Sequence, residues 1–496
     1  MTGDQAMAGE VPESRQLGRR AASLGIANTI DYGIQFLLPI ILVRCLDPVD
    51  FGHYRMLWLV MGTVMGMVTM SLPTSLYYFL PRLSAERKRL FINQTLLVHL
   101  CAGLVAAWAV SPLDPWYPAR FALSGAGAWA VPAFVLLWIV GSTLDVLPTV
   151  EERIAFQSWT SIGLSLTRVL LLSVAALVWR DLAAVLIALL LLASFRVGTL
   201  LGYVGVHHGL RGPLVQRKAI ADQLRFASPF WVSASLYNLR VQADQWVAAT
   251  LFPLGAYAAF SIAGVIAPML MPVRQAVNFA FLPTMSRAVA EGDIKGMIAL
   301  NARANVLAAA IILPAFAFIF AFAEDVITLV YTANYLAAAP VMRVFIAGLV
   351  VLVIELASVT LILNEGPFTV RLNFATLIGS VVANWIAAQA LGLPGAAVGT
   401  AVGMWADRYL TLRRVKRATG IPLRALQDWS GLGALLAAAV FGAVVSNAVV
   451  NAGWPTAPPF LRVVTGGVVL CAAYAAVLAL LARSGLRVEG LPGWRR

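Results

Sequence analysis

Charged residues are scarce in this 496-residue chain, since Asp, Glu, Lys and Arg together make up only 12% of it. Its three cysteines are too few and too scattered for a disulfide framework or a metal site. The four histidines also lack the spacing of a metal site, and no Gly-Lys-Ser/Thr loop is present to bind the phosphates of ATP. We therefore expect no cofactor, no catalytic site and no ATP-driven step within this chain.

Hydrophobic residues make up 60% of the sequence, which is more than a soluble protein can bury. Apolar runs of about 20 residues recur along the chain, and each is long enough to cross a bilayer as a helix. The sequence therefore predicts an all-α polytopic membrane protein with about 14 transmembrane helices. The predicted spans are Ala21–Val43, Met56–Leu80, Phe91–Val110, Phe121–Val146, Ser158–Val178, Leu182–Val206, Phe226–Thr250, Gly255–Leu282, Met297–Ala321, Pro340–Leu363, Thr369–Leu391, Gly395–Leu412, Trp429–Val450 and Leu461–Leu481.

The formal net charge of +13 is explained by topology rather than by nucleic-acid binding. Most of the 36 Lys and Arg fall in the tails and the even-numbered loops of this layout, which places both termini in the cytoplasm. These basic clusters would contact anionic membrane lipids. We expect no nucleic-acid partner.

Short motifs repeat at an offset of about 200 residues. Phe79-Leu80-Pro81 closes the second span, and Phe281-Leu282-Pro283 closes the eighth. The repeat predicts two six-helix lobes in the same orientation, followed by two extra helices. The predicted segments are a cytoplasmic tail (1–20), an N-terminal lobe (21–206), an inter-lobe loop (207–225), a C-terminal lobe (226–412), a basic loop (413–428), spans 13 and 14 (429–481) and a cytoplasmic tail (482–496).

The seventh span carries two full charges near its middle, Arg240 and Asp244. Helical spacing places both on one face, together with Tyr237. A charge at the centre of a bilayer costs about 2.5–3.5 kcal/mol on insertion scales, so this face is either structural or lines a wet path for a polar cargo.

The four basic residues deepest within the predicted spans are all arginines: Arg168, Arg196, Arg240 and Arg274. Arginine keeps its charge and binds phosphate through a planar fork, so the choice is typical of a permanent anion site. The alternative is that these arginines pair with carboxylates and only hold helices together. Arg168 and Arg196 fit that alternative better. Gln275, which is next to Arg274, is a further candidate for binding the cargo.

Asp31 is the acidic residue of the first span, where Asn28 and Gln35 share its face. It is a candidate for pairing with an arginine or for binding a coupling ion, either a proton or Na⁺. Asp145 and Glu355 are further candidates that we place near span ends.

Several motifs resemble those of polysaccharide flippases, including O-antigen flippases, of the multidrug/oligosaccharidyl-lipid/polysaccharide (MOP) exporter superfamily. The matching stretches are Arg44-x-Leu46-x-Pro48-x-x-Phe51-Gly52-x-Tyr54, Tyr77-Tyr78-Phe79-Leu80-Pro81, Phe281-Leu282-Pro283, Tyr331-x-x-x-Tyr335 and Gly392-Leu393-Pro394-Gly395. The resemblance implies two bundles in a V-shaped arrangement, like that of the MATE drug transporters, around a cavity lined by spans one, two, seven and eight. It also implies alternating access and a cargo of polyprenyl-diphosphate-linked oligosaccharide.

From the resemblance we expect this chain to be an inner-membrane flippase for a lipid-linked polysaccharide repeat unit, with polysaccharide-assembly proteins as partners. Arg240 and Arg274 would neutralise the diphosphate, and an ion gradient or the membrane potential would drive transport. Three alternatives remain open: a drug or cation antiporter of the same superfamily, a flippase for the peptidoglycan precursor, and an integral-membrane polysaccharide polymerase or ligase. The arginine-rich spans disfavour the antiporter, and the short outer loops disfavour the enzyme.

Overall fold

A computed structural model gives the fold of residues 33–34, 36–114, 126–209 and 212–483. Helices form the regular structure in these ranges and no strand occurs within them, which confirms the predicted all-α class. The helices are α1 (Phe36–Cys45), α2 (Pro48–Val68), α3 (Leu72–Phe79), α4 (Ala85–Ala109), α5 (Ala126–Gly141), α6 (Leu147–Val150), α7 (Ile154–Trp179), α8 (Leu182–His208), α9 (Arg217–Leu251), α10 (Leu254–Ala263), α11 (Ile266–Ala290), α12 (Ile294–Ala321), α13 (Ala323–Val330), α14 (Ala338–Leu349), α15 (Ala357–Ile362), α16 (Gly366–Leu391), α17 (Gly395–Thr419), α18 (Trp429–Gly453) and α19 (Pro459–Arg483).

Eight helices in the described ranges are long and apolar enough to cross a membrane, and the bent pair Pro48–Val68 and Leu72–Arg82 would make a ninth. The chain is therefore a multi-pass membrane protein. The count of fourteen stays a prediction. Helices α9 and α17 are long enough but too polar on average to qualify, and the tenth predicted span is broken into shorter pieces.

The described residues divide into two compact units. The first unit includes the residues up to Asp50 and Met56–Ser235, and the second includes Phe51–Arg55 and the residues from Leu236 onward. The division falls within α9, inside the seventh predicted span. The predicted lobe boundaries at residues 206 and 226 stay a prediction.

The first unit has an apolar core at one end of α3, α4 and α8. Leu76, Ile92, Leu147 and Leu200 are each fully buried there. A hydrogen-bonded group of polar side chains lies near this core. Gln223 Nε2 donates to the hydroxyls of Ser75 and Thr95, each at 2.9 Å. Because these buried polar atoms have hydrogen-bond partners, they fix how the helices pack without the free-energy cost of an unmade hydrogen bond.

Two helices of the second unit, α16 and α17, approach each other closely along their length. A Cβ atom added to Gly399 would lie 2.5 Å from the backbone nitrogen of Asn384, so only glycine permits this approach. Asn384 also holds the pair together, since its side chain donates to Thr400 Oγ1 at 3.0 Å and accepts from the Thr400 backbone at 3.0 Å. This packing sets the register between α16 and the charged part of α17.

The tenth predicted span, Pro340–Leu363, is not one continuous helix. Helix α14 ends at Leu349 and a 3₁₀ turn covers Val350–Val353, then Ile354 is extended and α15 begins at Ala357. Side chains from elsewhere in the unit bind the backbone groups that the break releases, which is the condition for breaking a helix inside a membrane. Gly348 lies next to the end of α14, but a glycine within an apolar span does not by itself indicate a break, because glycine is common in membrane helices.

Candidate functional site

Arg240, on α9, forms an ion pair with Asp407 of α17. Arg240 Nη1 lies 3.0 Å from Asp407 Oδ2, and the two side chains are 26% and 16% exposed. The same nitrogen lies 3.4 Å from Thr376 Oγ1 on α16, at the long end of hydrogen bonding. The guanidinium carbon also lies 5.9 Å from the ring centre of Tyr237, which is itself exposed. Side chains of α16 and α17 therefore bind an arginine of α9. The sequence did not indicate Asp407 or Thr376 as its partners.

Asp244 lies one helical turn from Arg240 but forms no ion pair with it. Asp244 is 4% exposed, and its Oδ1 accepts a hydrogen bond from the backbone of Gln245 at 2.7 Å. The carboxylate also forms a hydrogen bond with Thr400 of α17. The sequence places Arg240 and Asp244 on one helix face but does not show whether they pair. In the structure Arg240 pairs with Asp407 instead.

Arg274, on α11, binds the backbone at the break in the tenth span. Its Nη1 donates to the carbonyl oxygen of Leu352 at 3.0 Å. One turn further along α11, the side chains of Asn278 and Ser358 exchange hydrogen bonds at 2.8 and 3.0 Å. In the part of the chain that the structure describes, Arg274 forms no ion pair with a carboxylate, so its charge is not neutralised by direct contact.

Arg408, next to Asp407 on α17, is the third arginine of this group. It is half-buried, and its Nε is buried with no hydrogen-bond partner within the described ranges. Asp407 and Glu355 attract its charge, whereas Arg240 and Arg274 repel it. Arg408 lies four residues from the end of the twelfth predicted span, where a charge is ordinarily hydrated. In the structure its side chain belongs to the charged group inside the second unit.

Glu355 lies at the break itself and is 6% exposed, rather than near a hydrated span end as the sequence suggested. Its backbone carbonyl accepts hydrogen bonds from Asn301 at 3.0 Å and Asn305 at 3.3 Å, and its backbone N–H donates to Asn305 at 3.0 Å. Its Oε1 accepts from the backbone of Ala357 at 2.7 Å, while Oε2 is buried and finds no donor among the described residues. The break is thus held by buried amide side chains, and Gln427 extends that network.

We call Arg240, Arg274, Arg408, Asp407 and Glu355 the arginine cluster. Its three arginines and two carboxylates give it one net positive charge. Each cation comes from a different helix, and the carboxylates of Asp407 and Glu355 are largely buried, which strengthens charge interactions. Such a group can bind an anion. Among the described residues, no group of three or more His, Cys, Asp or Glu side chains is placed to hold a metal ion.

The two arginines of the first unit are held differently. Arg196 forms an ion pair and a short hydrogen bond with Asp145, and its guanidinium carbon lies 4.4 Å from the ring centre of Trp138. Its aliphatic chain packs against Gly141, where an added Cβ would lie 3.2 Å from Arg196 Cγ. Arg168 lies on α7 and has an interaction partner of its own. The alternative that these arginines hold helices together suits Arg196 best, and a substrate role for either remains a prediction.

A second polar group joins the end of α8 to the turn before α7. Glu151 accepts a hydrogen bond from the Tyr203 hydroxyl at 2.5 Å, and its other oxygen lies 2.7 Å from His208 Nε2. Burial acts to raise the pKa of the Glu151 carboxyl, but the hydrogen bonds from His208 and Tyr203 outweigh burial, so the pKa lies below its usual value. This group fixes the end of α8 and contains no free cation for a cargo.

Four of the predicted site residues cannot be placed by their side chains. Asn28, Asp31 and Gln35 lie outside the described residues, and Gln275 is within α11 but its side chain is outside them. Their proposed roles therefore stay predictions.

Comparison with known proteins identifies the family of the chain. Residues 17–289, more than half of the chain, match the model of a family described as polysaccharide biosynthesis protein. No significant match is found among curated proteins.

Solved structures show which fold the chain shares. The chain is similar to the lipid II flippase MurJ in an inward closed conformation, with a TM-score of 0.65 and 12% identity over 94% of this chain and 99% of that one. It is also similar to an inward-facing multidrug resistance MATE family transporter of the MOP superfamily, with a TM-score of 0.60 and 16% identity over 81% of this chain and 99% of that one. The chain therefore belongs to the polysaccharide biosynthesis protein family and has the fold of MOP superfamily transporters.

Proposed function

We propose that this protein flips a polyprenyl-diphosphate-linked oligosaccharide across the bacterial inner membrane by alternating access, with both termini in the cytoplasm. Membership of the polysaccharide biosynthesis protein family supports a glycan cargo. The observation that carries the diphosphate assignment is the arginine cluster, in which three arginines meet only two carboxylates and Arg408 has no direct partner in the described ranges.

A diphosphate suits this cluster because it offers several acceptor oxygens and negative charges over a few ångströms. Arginine binds phosphate through two parallel N–H donors and stays charged in a membrane, whereas lysine can lose its proton there. Arg408 Nε and Arg240 Nε are both buried without acceptors in the structure, and a bound phosphate oxygen would supply an acceptor. Binding would therefore remove two unmet hydrogen bonds, each worth about 1–3 kcal/mol.

Asp407 has a defined part in this proposal. In the absence of cargo it holds Arg240 at 3.0 Å and prevents an isolated charge from being buried. An arriving diphosphate competes with Asp407 for the same guanidinium, and Asp407 recovers it when the cargo leaves. This exchange keeps cargo affinity moderate, which a transporter requires because its cargo must also be released.

The drive for transport is an ion gradient or the membrane potential, with a proton or Na⁺ as the coupling ion. Asp31, with Asn28 and Gln35, stays our predicted site for that ion in the first lobe. Tyr237, Asp244 and Gln275 are proposed to border the cargo path, and polysaccharide-assembly proteins are its proposed partners. We propose no enzymatic activity for this chain.

The alternatives differ in the chemistry they require. A drug or cation antiporter would bind organic cations, which the net positive charge of the arginine cluster repels. A flippase for the peptidoglycan precursor would meet the same diphosphate chemistry, so the cargo glycan must be identified in cells. A polysaccharide polymerase or ligase would transfer sugars in vitro.

The test replaces Arg240, Arg274 and Arg408 with alanine one at a time in cells whose own gene is deleted. We expect each variant to reach the membrane at normal levels but to lose most surface polysaccharide. Arg417→Ala is the matched control, because Arg417 is exposed at the end of α17 and lies outside the cluster. Normal polysaccharide in all three variants would disprove the anion assignment. Accumulation of a peptidoglycan precursor instead of a polysaccharide repeat unit would favour the second alternative.

A further inference from the structure

A cavity lies beside the turn that joins α11 to α12, separate from the arginine cluster. Its volume is about 420 Å³, within the range of small-ligand sites. Three of its polar lining residues, Thr284, Arg287 and Glu291, recur on one face of α11. Arg303 lines it from α12. The cavity therefore carries one arginine on each of two helices, and the carboxylates of Glu291 and Asp293 also line it.

Neither arginine of this cavity has a partner in the part of the chain that the structure describes. Arg287 and Arg303 are both exposed and form no hydrogen bond or ion pair there. Asp293 caps α12 instead of pairing with an arginine, since its Oδ1 accepts a hydrogen bond from the Gly296 backbone at 2.7 Å. Glu291 is exposed and makes no ion pair with either arginine. Two cations thus line a cavity without protein anions bound to them.

The depth of Arg303 points to a lipid. Helix α12 is one of the candidate membrane spans, and its apolar run begins at Met297. Arg303 lies six residues further on, about 9 Å along the helix axis. An unpaired arginine at that depth is costly unless its head extends to the interface and meets an anion there. Arg287 lies on the last turn of α11, at the same end of the helix pair.

We propose that this cavity binds the phosphodiester headgroup of an anionic phospholipid, on the face predicted to be cytoplasmic. Arg303 would bind the phosphate from the bilayer side and Arg287 from the water side. Thr284 would add a hydroxyl donor, and about 420 Å³ accommodates a phosphoglycerol group. The site is independent of the cargo, so it stands even if the proposed function fails. Basic pockets at the cytoplasmic ends of membrane helices are suited to such headgroups.

The experiment measures binding of phosphatidylglycerol to the purified full-length protein in a neutral detergent by native mass spectrometry, with phosphatidylcholine as the comparison lipid. The Arg287→Ala/Arg303→Ala variant should bind phosphatidylglycerol about a hundredfold more weakly, since it loses two charged hydrogen bonds and each is worth a factor of about ten. Phosphatidylcholine carries the same phosphate but also a compensating cation, so we expect it to bind the parent protein more weakly than phosphatidylglycerol does. Lys295→Ala is the control, because Lys295 is exposed in the same region but does not line the cavity.

Glu291→Gln gives a test with the opposite sign that does not depend on the arginine variants folding well. Removing this carboxylate from the cavity wall should tighten phosphatidylglycerol binding several-fold. Soluble sn-glycerol 3-phosphate is the third arm, and we expect it to compete poorly because it lacks acyl chains. The proposal is overturned if the arginine variant binds phosphatidylglycerol like the parent protein. It is also overturned if Glu291→Gln has no effect, or if the soluble phosphate competes as well as the lipid.

Discussion

Replacing Asp407 with asparagine separates a structural role of the Arg240–Asp407 pair from a role in anion binding. The change removes the only carboxylate in direct contact with Arg240 among the described residues, and it raises the net charge of the arginine cluster from one to two. A purely structural pair predicts lower stability and nothing else. The anion-binding account predicts lower stability together with tighter binding of a diphosphate.

The two effects have different expected sizes. The side chains are 26% and 16% exposed, so the loss of stability should lie between that of exposed pairs and that of fully buried ones, at about 1–3 kcal/mol. Affinity for the diphosphate rises because, without the Asp407 carboxylate, the ligand no longer has to displace a carboxylate from Arg240. A hydrogen bond to a charged group contributes about 1.5–3 kcal/mol, which corresponds to about ten- to hundredfold in affinity.

Calorimetric titration of the detergent-solubilised protein with farnesyl diphosphate measures the binding, and thermal unfolding measures the stability. Glu365→Gln is the matched control, because Glu365 forms a comparable pair with Arg414 at 2.8 Å in the same unit but outside the arginine cluster. The control should lose stability without any gain in affinity. Unchanged or weaker diphosphate binding by Asp407→Asn would refute the exchange between Asp407 and cargo.

Three further predictions concern the framework around the cluster. Asn305→Leu should lower the unfolding free energy by about 2–4 kcal/mol and the melting temperature accordingly, because it removes hydrogen bonds to the backbone at a buried helix break; an unchanged melting temperature would show that the break needs no such support. Arg196→Met should reduce thermal stability but leave farnesyl diphosphate affinity intact, whereas weaker binding would assign Arg196 to the cargo path. Hydrogen bonds from His208 and Tyr203 lower the folded-state pKa of Glu151. Its contribution to the free energy of unfolding is therefore fully present above the unfolded pKa of about 4.3, and it is lost as the pH falls through the folded-state pKa. Melting curves of Glu151→Gln should therefore be less sensitive to pH below about 4.3 than those of the parent protein, and equal sensitivity would contradict this linkage.

The sequence was sufficient for the fold class because long apolar runs have few other stable forms in a membrane. It also pointed to Arg240 and Arg274 as candidates, since an arginine deep within an apolar span is conspicuous, and their roles stay predictions. Asp407 and Arg408 were missed because they lie near the end of such a span, where charges are ordinarily hydrated. Asp407 reaches Arg240 from α17, which packs closely against α16, and the sequence of neither helix indicates that contact.

The broken tenth span illustrates a second limit. Its residues are apolar and suit a continuous helix, and the cause of the break lies in Asn301 and Asn305 of another helix, which bind the released backbone groups. Glu355 was visible in the sequence as a carboxylate in an apolar run. Its burial and its bond to the Ala357 backbone follow from the break and could not be foreseen without it.

We propose that the protein moves a diphosphate-linked glycan by means of the arginine cluster. The most direct test reconstitutes it in vesicles that contain a polyprenyl-diphosphate-linked oligosaccharide and follows the access of a membrane-impermeant glycosidase to the glycan. With the parent protein, glycan from the inner leaflet should become accessible over time, and Arg408→Gln should abolish that increase while Arg417→Gln leaves it intact. No increase with the parent protein, or an equal increase with Arg408→Gln, would contradict the account.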